Sequence, residues 1–303
     1  NPPVCRLVST AETTTLRRMS TVRPPRSRSL VLFAMGALLL GQPPAPGQDQ
    51  TPRSTPTVQW QPPPTRFAFD DFLLAPLRIH LLSAREVPQW NTTLTEQDIA
   101  RILGKVNGIW AQAGVHFHLE SLVREEALNQ ENHEELENHR GLDWALSLRP
   151  TASRASNVFH IYYLKRFQVN GVYLRPAMFV QDSASLRRVE GGIDEPLPRV
   201  SSHELGHALS LPHRQAVTNL MASGTTGTWL SEAEIAQARE ATKRFNWIET
   251  APAVFQRAEA AHQARELGSA NALYRRLAGL PLNSKEVKQA KARLGRPGGA
   301  PGE

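Results

Sequence analysis

The 303-residue sequence predicts an α/β (α+β) fold: a mixed twisted sheet, helices packed on it, and a small α-helical tail at the C-terminus. Three observations carry this. Leu77, Ile79 and Leu81, and again Val115, Phe117 and Leu119, alternate with polar residues at the period of a strand. Between them Ile99, Ile102, Leu103, Val106, Ile109 and Trp110 recur at helical spacing. From Ala251 onward the spacing is helical throughout. Strands alternating with helices, then helices alone, describe a layered domain with a helical appendage.

The N-terminal part carries a different signal. Arg23, Arg26 and Arg28 precede an apolar run from Leu30 to Leu40, and Ala45-Pro46-Gly47 closes it with small residues. A basic segment, a short apolar core and a small-x-small end describe a secretory signal peptide. The run is too short for a stable membrane span. Residues 1–47 are therefore expected to be a leader. The protein is expected to be secreted, extracellular or periplasmic. Residues 48–65, rich in Pro, Gln and Thr, follow as a linker.

Net charge is +7 over the chain. The leader holds six arginines and one acid, Glu12, so 29 basic against 27 acidic residues remain from position 48. The basicity belongs to the leader, and nucleic acid is excluded as an expected partner. The lone cysteine, Cys5, also lies there, so the body forms no internal disulfide.

The body is expected to span 66–250. Thr95 caps the helix ending near Trp110, with Glu96 and Asp98 in its first turn, and Gly114 stops it. Residues 122–147 are strongly polar and predict a surface helix or insertion. Val158–Leu164 reads as a third strand. Asn170-Gly171 marks a turn before one or two short strands within 172–180. Val200–Leu209 reads as a buried helix, and Ser231 with Glu234 forms the capping box of a closing helix.

The chemistry lies in the buried helix. His203 and His207 stand four residues apart, which puts both imidazoles on one helical face, within reach of one ion. Glu204 flanks that ion without ligating it, placed to take a proton from water. Pro212 ends the helix, and the turn near Ser210 brings His213 back as a third ligand. Three histidines leave a tetrahedral zinc site one open position, as catalytic sites require.

The run from His203 to His213 resembles the metzincin signature, and is most similar to matrix metalloproteases. Asn219-Leu220-Met221-Ala222 resembles the Met-turn, in which Met221 would lie beneath the metal. The helix ending at Trp110, the Phe117 strand and the closing helix match the same pattern. The resemblance implies a metzincin-like (zincin) catalytic domain with an active-site helix and a closing helix. It implies a zinc metalloendopeptidase: Zn2+ on His203, His207 and His213, Glu204 as catalytic base, and a protein or peptide substrate. It also implies that Gly171–Leu174 is the edge strand pairing with substrate, an ordinary core strand being the other reading. The specificity pocket would lie between the motif helix and Ala222–Trp229.

Three departures stand out. Ser210 replaces the turn glycine, a position that favours positive φ. Ser223 stands where a tyrosine ligand occurs in astacin-like members. A cysteine-switch latency device is absent, since Cys5 precedes the export signal. His116 and His118 face away from Val115 and Phe117 and read as structural; His133 and His139 read as solvated. Residues 251–296 faintly resemble one tetratricopeptide unit, too small to bury its faces alone, which packs on the body or meets a protein partner. Residues 297–303 are expected to be disordered. The competing function is a catalytically silent, zinc-stabilised binding protein acting through this tail; the intact Glu204 argues against silence.

Overall fold

Strand β1 (Leu73–Ser83) organises the sheet, with β2 (Val115–Glu126) on one side and β3 (Phe159–Leu164) on the other, both parallel to it. Strand β5 (Ala177–Gln181) continues parallel to β3, and β4 (Gly171–Leu174) closes the edge antiparallel to β5. The short β6 (Glu249–Thr250) pairs antiparallel with the start of β1. The result is a mixed α/β fold with a mostly parallel sheet, ordered β2-β1-β3-β5-β4. The structure, a computed structural model, describes residues 60–64, 67, 69–138 and 141–295, all within one unit spanning Thr57–Glu303. The expected leader, most of the linker, His139 and the last residues lie outside the described ones.

Helix α1 (Glu96–Trp110) begins as the sequence predicts. Thr95 Oγ1 accepts from the Asp98 N–H at 3.2 Å, and Asp98 Oδ2 accepts from the Thr95 N–H at 3.0 Å. Its apolar face packs with helix α3 (Pro196–Ala208) on one face of the sheet, against Leu77, Ile79, Leu81, Ile161 and Met178. Burying such a stripe contributes roughly 1.5–3 kcal/mol per large side chain. Helix α4 (Glu232–Thr242) adds Ile235 and Ala238 to the same core. Trp60, at the end of the predicted linker, also packs against it.

The opposite sheet face is covered in two parts. Leu82, Tyr162, Leu164 and Phe179 pack under Trp90, Trp144 and Leu148. Leu74 packs under helices α5 (Ala251–Gln263), α6 (Leu267–Ala278) and α7 (Lys285–Leu294). These three helices are tied by Glu259, which accepts from Tyr274 at 2.6 Å and Arg293 at 2.8 Å. The tail thus buries its apolar faces mainly among its own three helices, with Leu74 of β1 joining that cluster, and β6 runs directly into α5, with Thr250 as its N-cap.

One expectation is corrected. Residues 122–147 do not form a helix: β2 runs on to Glu126, paired with Ser83 of β1. Among the described residues there, the one α-helical piece is α2 (His133–Asn138), with 3-10 turns at Gln130–Asn132 and Asp143–Leu148. Pairing with β1 outweighs local polarity, because an edge strand needs only one apolar face and shows polar residues elsewhere. A β-bulge helped to hide the strand. Leu77 faces Leu119 while Arg78 faces Ser121, so Glu120 is extra and the alternation breaks. Leu119, expected in the core, is 42% exposed. His116 and His118 sit away from Phe117, and burial pushes each down to about 4. His133 is half-buried rather than solvated, its ring edge-on to Trp90. Among the described residues, no helix is long and apolar enough to cross a membrane.

Candidate metal centre

Helix α3 starts at Pro196, whose fixed φ suits the first helical position and whose missing N–H has no partner to lose there. Leu197, Leu205 and Ala208 of this helix pack into the core, while His203, Glu204 and His207 line the cleft. The helix ends in a Schellman turn. The Leu211 N–H bonds to Gly206 O and the Ser210 N–H to His207 O, both at 2.9 Å. Ser210 takes the left-handed conformation there, with φ 67°, as the sequence predicts. Gln237 bonds its carbonyl and Arg244 its hydroxyl, which offsets the strain of a non-glycine residue. The turn delivers His213.

The three imidazoles converge. His207 Nε2 lies 3.1 Å from both His203 Nε2 and His213 Nε2. The Nδ1–H of His203 donates to Leu220 O, and that of His207 to Leu211 O, each at 2.9 Å. Those bonds fix the tautomers and leave Nε2 lone pairs aimed at each other. Two facing lone pairs repel unless a cation lies between them. Four ligands at about 2.0–2.1 Å around a tetrahedral ion stand about 3.3 Å apart, close to what is seen. Burial, then the charge of Arg199, lowers His203 to about 3, so it stays in the neutral form that ligates. Burial likewise lowers His207. Among the described residues, this is the one cluster of three or more such side chains able to hold a metal ion.

Glu204 sits beside the triad and is 4% exposed. Burial pushes its carboxyl up to about 8, against the nearby Arg199 charge and a hydrogen bond from the Tyr173 backbone N–H. Strand β4 crosses directly over it. A Cβ on Gly171 would lie 2.9 Å from Glu204 Oε1 and 2.5 Å from Val200 Cγ1. Gly171→Ala is therefore expected to displace Glu204 while leaving the triad in place. Metal content should hold and any hydrolysis fall by about 100-fold, since small misplacements of a reacting group cost that much. Metal analysis beside a rate assay checks it; an unchanged rate would contradict this packing.

Met221 is wholly buried against helix α3. A Cβ on Gly206 would come within 2.5 Å of its Sδ, so glycine lets helix and methionine touch. Three groups hold this loop. Asn219 Oδ1 accepts from the Met221 N–H at 2.6 Å, and its Nδ2 donates to Glu234 Oε2 at 2.8 Å. Arg214, next to His213, donates to Glu234 Oε1 at 2.9 Å. Arg199, 2% exposed, donates to the carbonyls of Gly227 and Ala222.

Burial raises the carboxyl of Glu234, but its bonds from Ser231, Asn219 and Arg214 outweigh burial and depress it overall. A depressed carboxylate stabilises the fold above its unfolded pKa of about 4.3, and that stability is lost as pH falls through the lower folded value. Acid titration of stability should show this loss below pH ~4. Glu234→Gln should cost about 2–3 kcal/mol at neutral pH and flatten the acid limb. An acid limb identical to that of the parent would contradict the assignment.

A cleft of about 630 Å³ opens over the centre, lined by Glu204, the three histidines, Tyr173 and Ser223 among others. Of the residues predicted from sequence, His203, Glu204, His207 and His213 line this one cleft, while Met221 is not among its lining and touches helix α3 at Gly206. The sequence reading did not single out Arg199, and it named Gly171 only as a turn residue and the start of the candidate edge strand, not for its closeness to Glu204. Arg199 had a signal, a lone charge one turn before His203 on an otherwise apolar helix. Gly171 had none beyond its place in an Asn-Gly turn.

No protein-family model and no curated protein matches the chain. A solved structure described as "Structure of a chaperone-substrate complex" aligns at 10% identity and a TM-score of 0.36, over 60% of this chain and 36% of that one. A likeness this slight supports no statement about function.

Proposed function

We propose that the chain is an exported zinc-dependent endopeptidase of the metzincin type. The observation that carries this reading is the buried Glu204 carboxylate beside three convergent imidazole nitrogens, in an open cleft. A structural metal site needs its ligands but has no use for an adjacent buried acid. Strand β4 supports the substrate class. It is the edge of the sheet, so its outer backbone groups can pair with an extended peptide.

His203, His207 and His213 would hold a zinc ion, which when bound would polarise the scissile carbonyl and acidify water. The chain's own groups do the rest. Main-chain bonds from β4 orient the peptide. A cation held beside Glu204 would favour its charged form over the protonated one that burial promotes; as a carboxylate held by the Tyr173 N–H, it takes the proton from the attacking water and delivers it to the leaving amine. His203 and His207 are kept oriented by their carbonyl partners. The silent-scaffold alternative is less favoured, because the tail helices spend their apolar faces on one another and on Leu74.

The test is digestion of a peptide library by the zinc-loaded full chain, with products mapped by mass spectrometry. Internal cleavage abolished by a chelator and restored by zinc is expected. Zinc bound without cleavage of any library member would refute the enzyme reading.

A further inference from the structure

A second cleft, of about 800 Å³, adjoins the metal centre and shares Tyr173 and His207 with the first. Its character differs. Arg154, Arg175 and Arg244 line it, and no aspartate or glutamate does. All three are exposed. Arg154 donates to the Arg149 carbonyl, and Arg244 to Ser210 and the Ala241 carbonyl. Among the described residues none of the three has a carboxylate partner. Elsewhere Arg78, Arg101, Arg239 and Arg293 each pair with an acid. Three unneutralised guanidiniums around one cleft repel one another, and an anion relieves that repulsion.

The wall of this cleft is aromatic and rigid. Phe159 packs edge-on to Trp247 at 4.8 Å and to Phe245 at 5.2 Å between ring centroids. Arg175 stands just after β4, the strand proposed to align substrate, at its turn into β5. A peptide lying along β4 therefore passes from the metal toward these guanidiniums.

We propose that this cleft is a carboxylate-recognising subsite: the substrate is a peptide that presents a carboxylate to Arg154, Arg175 and Arg244, beside an apolar group that meets the aromatic wall. This rests on the peptidase reading for the substrate class. The carboxylate has two possible sources, an Asp or Glu side chain or the peptide C-terminus. A planar carboxylate suits the two-pronged geometry of guanidinium, and charge-assisted pairs are the stronger hydrogen bonds.

Binding tests it apart from catalysis. Labelled peptides are titrated into zinc-loaded, full-length Glu204→Gln protein and followed by fluorescence anisotropy. The set compares Glu with Gln at each position, and a free with an amidated C-terminus. A Glu-over-Gln or free-over-amidated preference of about tenfold is expected, and the arm showing it identifies the source. Adding Arg175→Gln should bring that preference to within about twofold, and Arg154→Gln should reduce it in part, as expected when a charge-assisted pair is removed. Equal binding of charged and neutral peptides, no binding of any, or a preference untouched by Arg154→Gln with Arg175→Gln would overturn the subsite. A parent enzyme that binds acidic peptides with this preference but cleaves none would sink the peptidase reading and leave the subsite standing.

Discussion

Replacing Glu204 with glutamine is expected to lower peptide hydrolysis by about 100- to 10,000-fold, the range that a positioned acid–base group contributes. The side chain is nearly isosteric, so its packing against Val200 and Gly171 should persist. Glutamine keeps an acceptor for the Tyr173 N–H but cannot take up a proton. Metal affinity should stay close to the parent value, because Glu204 is not among the three residues whose nitrogens converge. That separation makes the variant informative. Loss of rate with metal retained points to proton transfer. Loss of both would mean that Glu204 helps to hold the ion, and the assigned role would fail. The effect should appear in kcat more than in KM, since the edge strand rather than the carboxylate is proposed to align substrate.

Removing the metal is the second large effect. The triad joins the end of α3 to the segment beyond the turn, and His213 is followed at once by Arg214, whose N–H bonds to Met221 O at 2.9 Å. An ion on all three imidazoles therefore ties the helix to the methionine loop. At a free ion concentration about 1,000 times its dissociation constant, binding stabilises the fold by about 4 kcal/mol. For a body of this size, that corresponds to a rise in Tm on the order of 10 °C. The parent should lose this increment on chelation and regain it with zinc. His207→Ala should melt near the apo value and be indifferent to zinc. A zinc-dependent rise of equal size in His207→Ala would place the ion elsewhere.

The site was legible in the sequence to a greater degree than the sheet around it. His203, Glu204, His207 and His213 interact through spacing, a proline stop and a turn, all local features with fixed geometry. Ser210 illustrates this: the resemblance puts it at the position of a turn glycine, which favours positive φ, and its φ is 67°. Strand β2 illustrates the opposite. Its far half is polar and bulged, and it is a strand because β1 pairs with it from forty residues away. Nothing local announces that partner. Arg199, Asn219 and Glu234 were opaque for the same reason. Glu234 reads as a helix cap, which it is, yet it also anchors the methionine loop through Asn219 and Arg214. The arginine-lined cleft is likewise assembled from residues 154, 175 and 244, which only the fold brings together.

On the proposed reading, three imidazoles and no other protein group would hold one ion with a position left open. Zinc-edge X-ray absorption on the zinc-loaded full chain tests it most directly. Three imidazole nitrogens and one further light atom, at about 2.0–2.1 Å, are the predicted shell. A sulfur scatterer in that shell, or fewer than three imidazoles, would contradict it.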